Sequence, residues 1–439
     1  MSETKKNKQF STIGGVFFLL IVIPLSLMAF LIANGMFKLG VTIKERAVDV
    51  LDQKSQQEMK IRAVNTADEV ASFLMGSKKD LLIATIIPAT ETAYKQFVLE
   101  SKKPLWIEEK KKVKQVLIPL YKEMSLTDKN GKELIKIVDG KVASAAKLIN
   151  VSNPANTTYK TEDYFAKTQV LNKGEVYVSP VTGWYVSKAA FMNGARFSGV
   201  VRLATPIFNK EGFAGIITLA LDYRFLAQFT DHIIPTQAEQ VFEANASTGN
   251  YAYMIDNRGF VISHPNDYHI VGLNNNGAPV PALTEQNAAN LTRKGEEVLN
   301  LYQLSFMDPN LPKIAKDAAS GNSGITIYKF GGHTKFVAYA PIKFYTSNIT
   351  PPAGFGWVAM GLDVEKYNEA VMKVSKNIDK EAKAWTATII FILIVSMIIL
   401  FLIMLLLVRG IHRSLNAAVP EGSENPLSFD DDDEEEDDR

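Results

Sequence analysis

The residues best suited to chemistry in this 439-residue chain gather between positions 159 and 222. In VVRLATP, strand alternation puts Val200, Arg202 and Ala204 on one face and Val201 and Leu203 on the other. If Val201 and Leu203 face the packed side, Arg202 projects toward a loop rich in rings, with Tyr164, Phe165, Trp184 and Tyr185. An unpaired buried guanidinium is too costly to keep, so Arg202 must meet a carboxylate, a ligand anion or water. Two internal partners are available, Glu162 and Asp222. The functional alternative is a fork from Arg202 onto the carboxylate of a small organic acid. Ring faces as walls and strand side chains as floor make a half-open pocket. The expected ligand-binding set is Tyr164, Phe165, Trp184, Tyr185, Arg202 and Asp222.

Other chemistries lack their residues. There is no cysteine, which removes disulfide scaffolds, thiol nucleophiles and thiolate metal sites. No G-x-S-x-G, P-loop or H-E-x-x-H pattern occurs, so no catalytic activity and no cofactor are expected. Of five histidines only His264 and His269 are close, in SHPNDYHI, and without a third ligand they read as two solvated imidazoles on a turn. Four Asn-x-Ser/Thr matches, at Asn156, Asn245, Asn290 and Asn348, read as chance. Basic residues are not interleaved with aromatics, so nucleic acid is not a partner. The net charge of +1 conceals nine consecutive acids at 430–438, set against a basic body.

The elements that must position Arg202 and its rings follow from periodicity. SGVVRLATPIF and FAGIITLALDY are apolar strands joined by Asn209-Lys210-Glu211-Gly212, a hairpin connection. Upstream, from about Val116, LIPLYKEMSLTDKNGKELIKIVDGK gives two strands around Asp128-Lys129-Asn130-Gly131. Downstream the plan repeats. NYAYMIDNRGFVISHP turns at Asp256-Asn257-Arg258-Gly259, and the closing strand GWVAMGLDVEKY matches GIITLALDYRFL. Between them, 270–324 is a polar, partly helical insertion. Residues 41–75 carry apolar residues at helical spacing and predict one helix ended by Gly76, with Pro88 and Pro104 dividing 79–116 into short helices.

Two apolar runs bracket this body. Residues 13–33 and 385–408 are each long enough to span a ~30 Å hydrocarbon core. Lys5, Lys6 and Lys8 precede the first, and Arg409 and Arg413 follow the second, which places both termini in the cytoplasm by the positive-inside rule.

Anchor, long helix, two sheet modules, anchor: this order resembles the double Cache (dCache) sensor region of bacterial chemotaxis receptors and sensor histidine kinases. The resemblance covers about 36–408 and implies an α+β fold. Two transmembrane helices flank a long N-terminal helix and two stacked PAS-like antiparallel β-sheet modules. The expected divisions are 1–12, a cytoplasmic N-terminus; 13–35, the first transmembrane helix; and 36–104, a signalling helix with short helices. A membrane-distal module at 105–235 and a membrane-proximal one at 236–365 follow. A connecting helix at 366–384, the second transmembrane helix at 385–408 and a cytoplasmic acidic tail at 409–439 complete the chain. The family places an aromatic pair over the ligand, where Tyr164 and Phe165 stand here. Amino-acid-binding members carry an arginine two residues before that pair and an aspartate in the last strand. Glu162 and Ala220 occupy those places, which argues against a standard amino-acid receptor. The resemblance further implies an inner-membrane homodimer with 36–384 outside the cytoplasm, a small-molecule ligand and a separate cytoplasmic signalling partner. A HAMP-like length at GIHRSLNAAV continues into no output domain before the acidic tail. The competing expectation is an accessory membrane subunit that keeps the fold as a docking surface and binds no ligand.

Overall fold

The computed structural model describes residues 2–109, 112–237 and 239–418; the acidic run at 430–438 lies outside them. The chain divides into two units, residues 1–50 with 371–439, and residues 51–370. In the first unit, Leu19–Leu39 and Met372–Ile411 are helical stretches long and apolar enough to cross a membrane. Side chains such as Leu20, Phe30, Phe391 and Leu406 stand exposed on them, as lipid-facing residues do.

Helix α1 (Ser2–Ala84) runs through Gly76 instead of stopping there. The buried stripe explains why: Val70 and Leu74 continue into Ser77, Leu81 and Ala84, so helical packing persists for two more turns. Helix α2 (Glu91–Glu100) begins at Thr90, whose hydroxyl accepts from Ala93 N. The segment expected to form short helices around Pro104 is an antiparallel ribbon of β1 (Lys102–Glu109) and β2 (Lys112–Pro119). Pro104 is tolerated because each strand of a two-stranded ribbon has one unpaired edge. Val116 belongs to this ribbon, and the first large sheet begins only at Tyr121.

That sheet contains β3 (Tyr121–Thr127), β4 (Glu133–Val138) and β5 (Lys141–Val142). A lid follows, with α3 (Tyr164–Thr168), β6 (Tyr177–Val178), β7 (Thr182–Gly183) and α4 (Lys188–Met192). The long hairpin β8 (Gly199–Asn209) and β9 (Gly212–Asp222) completes it, in the order β5-β4-β3-β9-β8-β6 with β7 also on β8. Helix α5 (Tyr223–Asp231) then leads to β10 (Tyr251–Asp256) and β11 (Val261–Ser263). After α6 (Ala288–Lys294) and α7 (Asn310–Ala319) come β12 (Gly324–Phe330), β13 (His333–Ile342) and β14 (Gly356–Asp363). The second sheet has the order β11-β10-β14-β13-β12, and α8 (Val364–Ala418) leaves from its last strand.

The duplication extends to single side chains. Asp128 Oδ1 accepts from the backbone N of Asn130 and Lys132, and Asp256 Oδ1 accepts from Arg258 and Phe260, the same i+2 and i+4 pattern in both modules. Asp222 and Asp363 each close the last strand and cap the next helix, accepting from Arg224 N at 3.0 Å and Glu365 N at 2.8 Å. One local signal, an acid placed before a turn or a helix, therefore recurs four times.

The two modules are bonded together. Tyr185 N donates to Leu273 O and Leu273 N to Gly183 O, while Asn348 both accepts from Val178 N and donates to its carbonyl. The two histidines read as solvated are buried instead, and meet edge to face with ring centres 4.8 Å apart. The insertion closes over them because its leucines, among them Leu299, Leu301 and Leu304, are core residues.

Candidate functional site

The alternation read from VVRLATP holds: Val201 and Leu203 enter the main core, while Val200 and Ala204 join clusters under the lid. Arg202 points to the lid side and is 1% exposed. Across the sheet it stands opposite Ala220 on β9, which in turn stands opposite Glu123 on β3. Alanine at the middle position leaves room for the guanidinium to cross a strand. Arg202 Nη2 reaches Glu123 Oε2 at 3.0 Å, and its Nε reaches Glu162 Oε1 at 2.7 Å. The guanidinium carbon also lies 4.6 Å from the Tyr164 ring centre.

Each carboxylate has a second support. Thr158 Oγ1 donates to Glu123 at 3.0 Å, and Tyr159 N to Glu162 at 3.4 Å. The lid turn that brings Glu162 back over the sheet contains Lys160 at φ +62°, a left-handed conformation uncommon for lysine. Electrostatics follow from this packing. Burial disfavours the Arg202 charge, but Glu162 and Glu123 outweigh it and hold its pKa well above the ordinary value. Burial likewise opposes the Glu123 charge, yet Arg202 and Lys136, with hydrogen bonds from Arg202 and Thr158, keep its pKa below the ordinary value. Burial raises the Tyr164 hydroxyl, so it stays protonated.

The expected residues separate into two groups. Tyr164, Arg202 and Asp222 lie on or over this face, with Trp184 beside it, its ring 5.4 Å from that of Tyr159. Asp222 does not hold Arg202; it is forked by Arg224 at 2.7 Å and approached by Lys122 at 3.6 Å. Phe165 packs into the lid's own cluster against Phe213. Tyr185 turns toward the second module, where its hydroxyl donates to Tyr268 O at 2.9 Å and accepts from Glu297 N at 2.8 Å. Sequence reasoning missed Glu123 and Tyr159. The signal for Glu123 was its register opposite Ala220, which only the assembled sheet reveals.

Outside the lid lies a cleft of about 770 Å³ between the modules. Glu162, Asp163 and Tyr164 line it from the first module, and Arg258, Phe260 and Leu273 from the second. Glu162 is therefore part of the wall between the cleft and the Arg202 face.

Two antiparallel sheets in tandem, the first under a lid, between two helices long and apolar enough to cross a membrane define the class of fold. The chain belongs to the Cache domain family, whose dCache_1 model matches residues 44–362. Domains of this family are ligand-binding sensor modules. Among solved structures, the chain is similar to a domain of a sensory box/GGDEF family protein from Vibrio parahaemolyticus. Identity is 14% over 71% of this chain and 96% of that one, with a TM-score of 0.42. It is also similar to the ligand-binding domain of the Pseudomonas fluorescens chemoreceptor CtaA, in complex with L-isoleucine. There the identity is 12% over 73% and 98% of the two chains, with a TM-score of 0.39. No protein of curated function matches this sequence.

Proposed function

We propose that this chain is a membrane-anchored extracytoplasmic sensor whose first, membrane-distal module binds a small organic acid at Arg202. The observation that carries the reading is that the buried Arg202 is held from the lid side by a carboxylate belonging to the lid itself. Glu162 occupies the place of a ligand carboxylate. When the lid lifts, that carboxylate leaves with it, and an incoming acid replaces one negative charge by another at no net change in buried charge. Tyr164 and Trp184 cover the ligand, Asp222 and Glu123 border it, and Phe165 and Tyr185 fix the lid to its two neighbours. In this proposal the chain acts as a homodimer, with both termini cytoplasmic, and passes lid movement along residues 365–413 to a separate cytoplasmic signalling partner.

The test uses thermal unfolding of the full chain in detergent with acetate, malate and succinate as probes. At least one stabilises the wild type, and Glu162→Gln, which weakens the lid latch, binds the same probe about tenfold more tightly, an effect of ~1.4 kcal/mol. If neither protein responds to any probe, the ligand reading is lost. The second reading, a docking subunit without ligand, then stands, favoured by the completeness with which Glu123 and Glu162 already satisfy Arg202.

Orientation has its own test, made clean by the lack of native cysteine. Lys129→Cys, at an exposed turn, reacts with a membrane-impermeant maleimide in intact spheroplasts, whereas Ser2→Cys reacts only after lysis. The reverse pattern overturns the proposed topology.

A further inference from the structure

A second cleft, of about 430 Å³, opens where β1, α5 and the loop at 232–244 meet the segment after β11. Four carboxylates reach it from four separate elements: Glu108 on β1, Asp231 at the end of α5, Glu243 on the loop and Asp267 after β11. The cations beside it are already engaged. Arg196 is forked by Glu243, with both bonds at 3.2 Å, and Arg224 by Asp222 at 2.7 Å. His232 pairs its Nδ1 with Phe242 O, and His264 Nδ1 accepts from Asn266 N. Burial lowers the pKa of both imidazoles, so they stay neutral. No lysine lines the cleft.

Asp231 and Asp267 are therefore left without a cation. Asp267 is 9% exposed, and its Oδ2 accepts from Phe197 N. Asp231 Oδ1 accepts from Ser263 Oγ at 2.8 Å. Among the described residues, the other oxygen of each accepts no hydrogen bond and neither carboxylate is ion-paired. A buried carboxylate with an open oxygen either takes a proton or meets a cation. The walls favour an organic one. Rings border the same space: Trp106 lies 6.1 Å from His232, and Tyr223 meets Phe197 edge to face at 4.7 Å. Ring faces attract ammonium groups and add apolar area for an alkyl chain. The acids do not converge, and among the described residues no three metal-ligating side chains stand together. The volume is that of a small-molecule site.

We infer that this cleft binds a small aliphatic amine, its ammonium held by Asp231 and Asp267 and its chain lying against Trp106 and Tyr223. The site shares no residue with the Arg202 face and does not rest on the reading of that face. Binding is coupled to protons. Burial pushes Asp231 up to about 7 against the Ser263 bond, and Asp267 up to about 6 against the Phe197 N–H and Arg196. The ammonium requires both groups ionised, so its affinity rises with pH through that range and levels above it. The cleft also has a route to the long helix. Arg62 Nη1 on α1 donates to three carbonyls of the loop, Ile234 O at 3.3 Å, Pro235 O at 3.1 Å and Gln237 O at 2.6 Å. An amine that draws the loop against α5 acts on the segment that Arg62 ties to α1.

The probe is 1,4-diaminobutane, with 1,4-butanediol as its uncharged analogue and magnesium as an ion of the same charge. The full chain in detergent is unfolded thermally at fixed ionic strength. The diamine stabilises the wild type, the diol and magnesium do not, and the diamine's apparent affinity rises roughly tenfold between pH 6 and pH 8. Asp231→Asn and Asp267→Asn keep an acceptor oxygen for Ser263 and for Phe197 N and remove only the charge. Both therefore fold, and each weakens the diamine about tenfold or more. Hydrogen exchange on the wild type needs no variant: the diamine slows exchange in α5 and at 232–244. A magnesium response equal to that of the diamine, an unchanged diamine response in both variants, no response in the wild type, or protection confined to other segments each overturns the inference.

Discussion

Arg202→Ala is expected to cost about 3–5 kcal/mol, the penalty for leaving buried carboxylates without their cation. For a folded body of this size that is a fall in melting temperature on the order of 10 °C. The loss arises less from the missing contacts than from what remains. Glu162 is 8% exposed, the Glu123 side chain is 12% exposed, and both lie beneath Tyr159 and Tyr164 with their cation gone. The effect depends on pH in a fixed direction. In the wild type the Glu123 pKa lies below its ordinary value, so its stabilisation is present above the unfolded-state pKa and is lost as pH falls through the folded one. Without Arg202, burial acts with far less opposition and raises the folded pKa. The variant's Glu123 carboxylate then costs stability as pH rises through that value. The gap between wild type and variant is therefore small near the unperturbed carboxyl range of about pH 4 and wide at neutral pH. Unfolding curves across that range check it, and a gap that does not change with pH would falsify the account. Adding Glu123→Gln and Glu162→Gln to an Arg202→Met background recovers most of the loss, because no buried charge remains in that triad.

What could be read beforehand depended on how local its cause is. The turns at Asp128 and Asp256 were legible because an aspartate bonds its own neighbours two and four residues on. The strand face carrying Arg202 was legible because alternation is a property of one strand. The repeat was legible because it preserved both signals. Glu123 was not. In YKEMSLT it reads as an ordinary polar residue, and its burial arises from pairing with β9 and from a lid some 40 residues downstream. The β1–β2 ribbon was missed because Pro104 was given its meaning in helices, although an edge strand accepts it equally well. Gly76 was overread as a stop, since a buried stripe on both sides outweighs the ~1 kcal/mol a helical glycine costs. Tyr185 lies one residue beyond Trp184 yet serves the other module, because its backbone pairs with Leu273.

Gly356→Ala is expected to lose roughly 3 kcal/mol or more, and Gly215→Ala a similar amount, because the two positions are one position repeated. Gly215 opens the core of β9 at φ +149°, and Gly356 opens β14 at φ +152°. At both, a Cβ would stand 2.0 Å from a carbonyl oxygen of the neighbouring strand, Thr127 O in the first module and Ile255 O in the second. Backbone strain contributes about 1–3 kcal/mol. Displacing a paired strand to relieve the clash contributes a comparable amount. The neighbours cannot yield cheaply, since the nearest contact at each site is the main chain of a paired strand, β3 or β10. Gly212 separates the two contributions. It has φ +112° but nothing within 4 Å of its Cβ position, so Gly212→Ala carries the strain without the clash and costs about 1 kcal/mol. Thermal unfolding of the three variants ranks them, and hydrogen exchange assigns the damage to the first sheet for Gly215→Ala and to the second for Gly356→Ala. Equal losses at Gly212 and Gly356 would remove the steric argument. A shift of β14 also reaches Asp363, which caps α8 seven residues on, so Gly356→Ala loosens exchange protection in the first turn of α8 while Gly215→Ala does so in α5.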